Sequence, residues 1–441
     1  MSTGMNLLAG FGRSDITPGL GVELCGYGFK LGRKATEVLD PLYANAMVWQ
    51  DGDRKGAILS CDLISMSNER SIEVRSLIAA QCDIPFDHIM LCCTHTHSGP
   101  ATTNVIGLGE KDASYLNALP AKIADAARKA SNSLLPVELG YGEGLAEGIA
   151  YNRETHSKSE PGGMTDEVLK VLKVSHQGKM IGFLAHYSCH PVTLNHHGTL
   201  ISGDFVGRAI NKLSERHGVQ GLFLQGSLGD LNPVYCHDEL QASIGQVDIL
   251  SNKLSAIIET ALNAASPLTE GGIAVKRIEI ELPQVVASDR AMIRRNLDFI
   301  YRLQGSFEEM PEQAQKQILF EREVWESFWN EYDVKSRGYM KTEAQVIQFG
   351  ELLMLAHSAE LFYSFHRKIV NQLSPFKVFV INQANGSIGY VPTADKYDIS
   401  NKEYSYPACF SPFMHGEFPY VPNVGDLLVQ ELVGLGQQIK S

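Results

Sequence analysis

Histidine is the side chain on which chemistry could be built in this sequence. Thr94-His95-Thr96-His97-Ser98-Gly99-Pro100 ends the apolar run Ile89-Met90-Leu91-Cys92-Cys93. Residues i and i+2 of a strand point to one face. His95 and His97 are therefore expected to project together at a strand's C-terminal end, where open α/β sheets place ligands. Neutral imidazole suits zinc, and His-x-His is a common ligand spacing. Two polar residues on a strand edge would show the same spacing, so the pair alone does not decide. A second cluster adds weight. It reads His186-Tyr187-Ser188-Cys189-His190-Pro191, with His196 and His197 soon after, so four of the chain's 14 histidines fall within twelve positions. On a continuing strand, residues 186, 188 and 190 would share a face. Not all four can be ligands, and His186, His196 and His197 each read more simply as hydrogen-bonding neighbours or loop residues.

A third segment, Phe223-Leu224-Gln225-Gly226-Ser227-Leu228-Gly229-Asp230-Leu231-Asn232-Pro233, runs from a strand into a glycine-rich turn. Its backbone N–H groups could face an oxyanion, although a tight structural turn needs the same glycines. Ser227 does not complete a nucleophile elbow, because Gln225 stands where that motif needs glycine.

These segments need a scaffold, and the first half of the chain alternates strand-like and helix-like stretches. Gly56–Cys61, His88–Cys93, Val171–Val174, Gly182–Cys189 and Gln220–Gln225 read as buried strands. Asn68–Gln81, with Ile72, Leu77 and Ile78 on its apolar stripe, reads as a helix capped by Ser67/Asn68. Leu119–Leu134 reads as a helix with Pro120 near its start. Asp204–His217, N-capped by Asp204 and stopped by Gly218, and the segment around Val247–Ala261 read as further helices. Gly272–Leu282 alternates like a half-exposed strand. Ser288–Gln345 is rich in Glu, Gln and Arg, and its composition predicts a helical insertion that covers the site. Val378–Val391 returns to strand with Asn385-Gly386 as a hairpin turn, and Gly425–Ile439 closes the chain as a helix. No internal repeat is visible. The expected fold class is α/β: mixed sheets flanked by helices, residues 1–441 forming one catalytic domain with a helical insertion at about 288–345.

Composition sets the outer bounds. The chain has 441 residues, 44% hydrophobic and 20% charged, with net charge −12. That suits a large globular core and excludes disordered, collagen-like and coiled-coil chains. No dense basic run supports nucleic-acid binding. No stretch reaches the ~20 apolar residues of a spanning helix, so no stable membrane insertion is expected. Eight cysteines without a C-x-x-C, and an N-terminus without a basic leader, point to reduced thiols and a cytoplasmic location. Oligomeric state is not readable.

Taken together, the sequence resembles the neutral/alkaline ceramidases and their bacterial relatives. The matching segments are Gly12-Arg13-Ser14-Asp15-Ile16-Thr17-Pro18, Asp40-Pro41-Leu42-Tyr43, Asp62, residues 94–100, Asn152-Arg153, His190-Pro191-Val192-Thr193-Leu194-Asn195, Ser202-Gly203-Asp204 and Gly229-Asp230-Leu231-Asn232-Pro233, with weaker matches through Glu360, Gly389-Tyr390 and Tyr404. The resemblance implies one zinc held by two histidines, a glutamate and a tyrosine. These map onto His95, His190, Glu360 and Tyr404, with Tyr406 as a rival to Tyr404. His190 is chosen because it lies 12 residues before Ser202. Glu360 follows Ser358-Ala359 where the family usually has Pro-Gly. The resemblance also implies that His97 moves protons at the reacting carbonyl and that Arg153, Gly229 and Asp230 bind substrate. Three departures are expected: Asn232 occupies the place of the family's reacting serine, and neither the family's C-terminal β-sandwich nor a secretion signal is anticipated. Asn232 cannot form an acyl-enzyme but can donate to an oxyanion. The expectation is a zinc hydrolase that cleaves an amide (N-acyl) or ester bond of a small soluble acylated substrate with metal-activated water. A lipid amidase of ceramidase type and an inactive acyl-ligand-binding relative are the alternatives.

Overall fold

The structure, a computed structural model, describes residues 7–27, 32–103, 105–194, 197–269, 271–285, 290–335, 337–397 and 405–439. Three stretches of it repeat one plan. The first comprises β1 (Leu7–Asp15), β2 (Tyr43–Asp51), β3 (Arg54–Cys61), α1 (Asn68–Cys82), β4 (Ile89–Cys93) and α2 (Ala113–Ser131). The second comprises β5 (Glu138–Leu145), β6 (Val168–His176), β7 (Lys179–Tyr187), α3 (Asp204–His217), β8 (Gln220–Gln225) and α4 (Leu240–Ala264). The third begins with β9 (Ile273–Pro283) and admits two extra helices, α5 (Arg290–Leu303) and α6 (Glu312–Asn330). It continues through β10 (Tyr339–Phe349), β11 (Leu352–His357), α7 (Tyr363–Gln372), β12 (Lys377–Ile381) and α8 (Val424–Gln438). In each sheet three strands meander antiparallel, and the third pairs in parallel with a fourth: β3 with β4, β7 with β8, β11 with β12. A parallel pair needs a crossover, and α1, α3 and α7 supply it.

The helices cover the outer face of each sheet, and the inner faces meet. One cluster joins Met47, Trp49 and Ile58 of the first sheet, Leu172, Leu184 and Leu222 of the second, and Ile347, Met354 and Phe379 of the third. At roughly 25 cal/mol per Å² of apolar surface, this burial is the main force holding the sheets together. The ends of the parallel pairs are tied directly: Ser60 Oγ donates to Phe223 O, Asn382 N to Gln225 O, and Cys93 N to Gln383 O. Three sets of strand C-terminal ends therefore face one region. The repeat lies in topology, which is why the sequence does not display it.

Several local expectations are corrected. The second helix starts at Ala113 behind the cap Asp112, and Pro120 lies inside it, where the buried stripe Leu116, Leu119, Ile123 and Ala127 outweighs the missing donor. In α1, Val74 and Ile78 face inward, while Ile72 is 51% exposed. Asp204 is the first residue of α3, and Gly203 is its cap. The insertion is helical only to residue 335. Residues 339–345 belong to β10, whose pairing from Ile273↔Phe349 to Pro283↔Tyr339 overrides a polar, helix-like composition. Ser288 lies outside the described residues. Asn385-Gly386 makes no hairpin: Tyr390–Val391 pairs in parallel with Glu360–Leu361.

Candidate metal centre and active-site cavity

His95, His190 and Glu360 each follow the C-terminal end of a parallel strand: β4, β7 and β11 respectively. The strand ends before the histidines do, so the i, i+2 argument fails in detail. Thr94 N still bonds Cys61 O, but His95 then takes a left-handed φ of 69° and donates its N–H to Leu63 O. That turn, rather than strand alternation, brings His95 and His97 together with ring centroids 4.9 Å apart. Likewise β7 stops at Tyr187. His186 points away, bonding Val380 O and stacking on Phe379 at 5.0 Å, whereas His190 reaches the other two imidazoles. His196 and Tyr404 lie outside the described residues.

Nitrogens of His95, His97 and His190 lie within 4.8 Å of one another. Glu360 Oε2 stands 3.7 Å from His95 Nε2 and 3.5 Å from His190 Nε2. The Nδ1 atoms of His95 and His190 sit 2.6 Å from the carbonyls of Ile64 and Leu228. Bonds of this kind fix the tautomer and leave the Nε2 lone pairs facing the centre. Among the described residues, His95 Nε2, both ring nitrogens of His97, and Glu360 Oε2 are buried without a hydrogen bond. Burial lowers the pKa of all three histidines, that of His190 to about 4, and the other two imidazoles add to the lowering at His97. Burial alone would raise Glu360, but the facing His95 and His190 bring it down to about 2. The centre thus offers neutral imidazoles and an ionised carboxylate, a donor set that fits a zinc ion. Tyr390, a match of the resemblance but not a site candidate, brings its hydroxyl within 3.4 Å of His190 Nε2. Tyr406 packs on Tyr390 at 5.7 Å between centroids.

The centre opens into a cavity of about 510 Å³ lined by His97, His190, Arg153, Asn232, Tyr390 and Tyr406, among others. Asn232 lies on the short strand Leu231–Pro233, opposite Tyr151 of Ala150–Asn152. Among the described residues its Oδ1 is buried without a hydrogen bond, and its Nδ2 lies 4.0 Å from Cys236 Sγ. Arg153 is held by Gly229 O at 2.7 Å, with its Nε buried and unpaired. Gly229 and Asp230 do not line this cavity. Gly229 N donates to Leu361 O, and a Cβ there would stand 2.6 Å from Glu360 O, so only glycine fits against the Glu360 strand. Asp230 accepts from Tyr363 N and Asn152 Nδ2, both at 2.7 Å. The two brace the centre. Ser227 Oγ accepts from Asn382 Nδ2 and lies off the cavity, so the glycine turn is structural. Sequence reasoning missed Gln317 and Glu321 of α6, which wall the cavity.

Comparisons with known proteins agree with this geometry. Residues 7–245 match the model of the family "Neutral/alkaline non-lysosomal ceramidase, N-terminal". A neutral ceramidase of Pseudomonas aeruginosa is 26% identical over 246 residues, 51% of this chain and 36% of that protein, so the match spans little more than a third of the relative. The crystal structure of neutral ceramidase from Pseudomonas aeruginosa shares the fold with a TM-score of 0.73 at 18% identity, over 99% of this chain and 75% of that one. A ceramidase complexed with C2 gives the same TM-score at 17% identity, over 98% and 75%. With more than half its length matched by the family model and a cluster of three buried histidines set on that fold, the chain belongs to the neutral/alkaline ceramidase family.

Proposed function

We propose that this protein is a zinc-dependent hydrolase that cleaves an amide or ester bond of an acylated substrate smaller and more soluble than ceramide. The observation that carries the proposal is the convergence of buried His95, His97, His190 and Glu360, with His95 Nε2, both His97 nitrogens and Glu360 Oε2 lacking hydrogen bonds, and with His97 and His190 at the wall of the cavity. His95, His190 and Glu360 would hold the metal, with Tyr404 or Tyr406 completing the set. Bound there, zinc would polarise the scissile carbonyl and lower the pKa of water toward ~7. His97 takes the proton from the attacking water and returns it to the leaving nitrogen or oxygen. Asn232 donates to the developing oxyanion, and Arg153 orients the acyl carbonyl. Among the described lining residues there is no serine, threonine or cysteine, which favours direct attack by water over an acyl-enzyme. The seven described cysteines are free and buried, in keeping with a reducing cytoplasm.

A panel of N-acyl amides and esters, including a ceramide, tests the reading on the zinc-loaded protein. Turnover of small acyl substrates should be abolished by a chelator and restored by zinc. Asn232→Ala should lower kcat roughly ten- to a thousandfold without changing zinc content. Turnover of ceramide alone would make the enzyme a lipid amidase, and trapping an acyl group on a serine would overturn attack by water.

A further inference from the structure

Helix α6 has two kinds of charge. On its outer side, Lys316 pairs with Glu312 at 2.8 Å and Arg322 with Glu326 at 3.7 Å, the i, i+4 pattern of a solvated face. Its inner stripe runs Gln317, Phe320, Glu321, Val324, Phe328, spaced i, i+3, i+4, i+7, i+11. Phe320, Val324 and Phe328 on that stripe are buried, packed with Met414 and Phe418. Glu321 therefore occupies an inward position, where a solubilising charge has no use. Its carboxylate receives a 3.1 Å hydrogen bond from Gln317 Nε2 and, among the described residues, forms no ion pair. It walls the same cavity as His97 and Asn232. Aromatic rings line the same cavity wall: Tyr406, 44% exposed, and Phe410, 5.7 Å from Phe320, the neighbour of Glu321, between centroids. A carboxylate among aromatic faces is the chemistry that recognises an ammonium group.

We infer that Glu321, with Phe410 in the same wall, forms a subsite for a positively charged group on the leaving amine, so that the preferred substrate is an acylated amine carrying a second, protonated nitrogen. The inference builds on the hydrolase reading above. Water adds to the carbonyl carbon, the C–N bond breaks and the departing nitrogen takes the proton, giving a carboxylate and a diamine. Arg153, the guanidinium in the same wall, is tied to Gly229 O and is assigned to the acyl carbonyl, which leaves Glu321 for the ammonium end. The net charge of −12 would further draw cations toward the protein.

The test uses three hexanoyl amides that share an acyl chain: those of 1,3-diaminopropane (cationic), propylamine (neutral) and β-alanine (anionic). Their binding to zinc-loaded wild type, Glu321→Gln and Glu321→Lys is measured by calorimetry, and their hydrolysis is measured in parallel. Wild type should bind the cationic amide roughly five- to tenfold more tightly than the neutral one. Glu321→Gln should erase that ratio, and Glu321→Lys should turn it toward the anionic amide, with zinc content unchanged in both. A wild type without cationic preference, or a Glu321→Gln protein that keeps it, overturns the inference. Cationic preference in binding without turnover of any acyl compound would instead sink the hydrolase reading and leave the ammonium subsite standing.

Discussion

His97 carries two buried ring nitrogens without partners, and its environment allows two fates. It lies as close to the centre as His95 and His190, so distance alone would make it a ligand. Neither of its nitrogens, however, has the backbone carbonyl bond that orients the other two imidazoles. On that difference, His97→Ala should keep about one zinc per chain while kcat falls by a hundredfold or more. Loss of zinc would make it a ligand. Away from the centre, burial pushes the Asp204 carboxyl up to about 6, even though Leu194 N and Phe205 N donate to it. Unfolded aspartate titrates near ~3.9, so the folded chain binds that proton more tightly. The sign follows: its stabilising contribution is full below about pH 4 and is lost as pH rises through about 6. Denaturant midpoints of wild type relative to Asp204→Asn should fall across that window and be level on either side. A difference that does not vary with pH would contradict the assignment.

At the scale of elements, His95, His190 and Glu360 each follow the end of a strand, and this is what was and was not legible in the sequence. The strands ending in Cys61, Cys93 and Gln225 could be read because they are short apolar runs, and α3 could be read because Gly218 stops it at a φ of 63°. The turns beyond the strands could not. Nothing in Thr94-His95 announces a left-handed residue, and strand periodicity placed His186 beside His190 although the strand ends between them. The β10 strand was hidden because its partner, β9, lies beyond a helical insertion. Gly229 was readable as a turn glycine, but its packing against the backbone of Glu360 needed three dimensions. Gly229→Ala should push the Glu360 strand aside and weaken zinc binding roughly 10- to 100-fold. Competition with a chromogenic chelator measures this, and an unchanged affinity would show that the glycine does not set the ligand's position.

At the scale of the molecule, three sheets of one topology converge so that each gives the centre at least one residue: His95 and His97 from the first, His190 from the second, Glu360 from the third. The α/β class and the family were legible in motifs scattered from Gly12 to Tyr390. The threefold plan was not, because the repeats share hydrogen-bond topology and not residues. Helix α6, inserted between β9 and β10, gives Gln317 and Glu321 to the cavity wall, so the polar insertion has a place in the site and not only on the surface. Since the centre exists only where the three sheets meet, breaking one contribution should empty it. The most direct test is zinc content by mass spectrometry of purified wild type, His190→Ala and Glu360→Ala, each checked for an unchanged circular dichroism spectrum. The account predicts about one zinc per chain in wild type and less than about a tenth in each variant. A wild type that binds no zinc, or a folded His190→Ala protein that keeps a full equivalent, would contradict it.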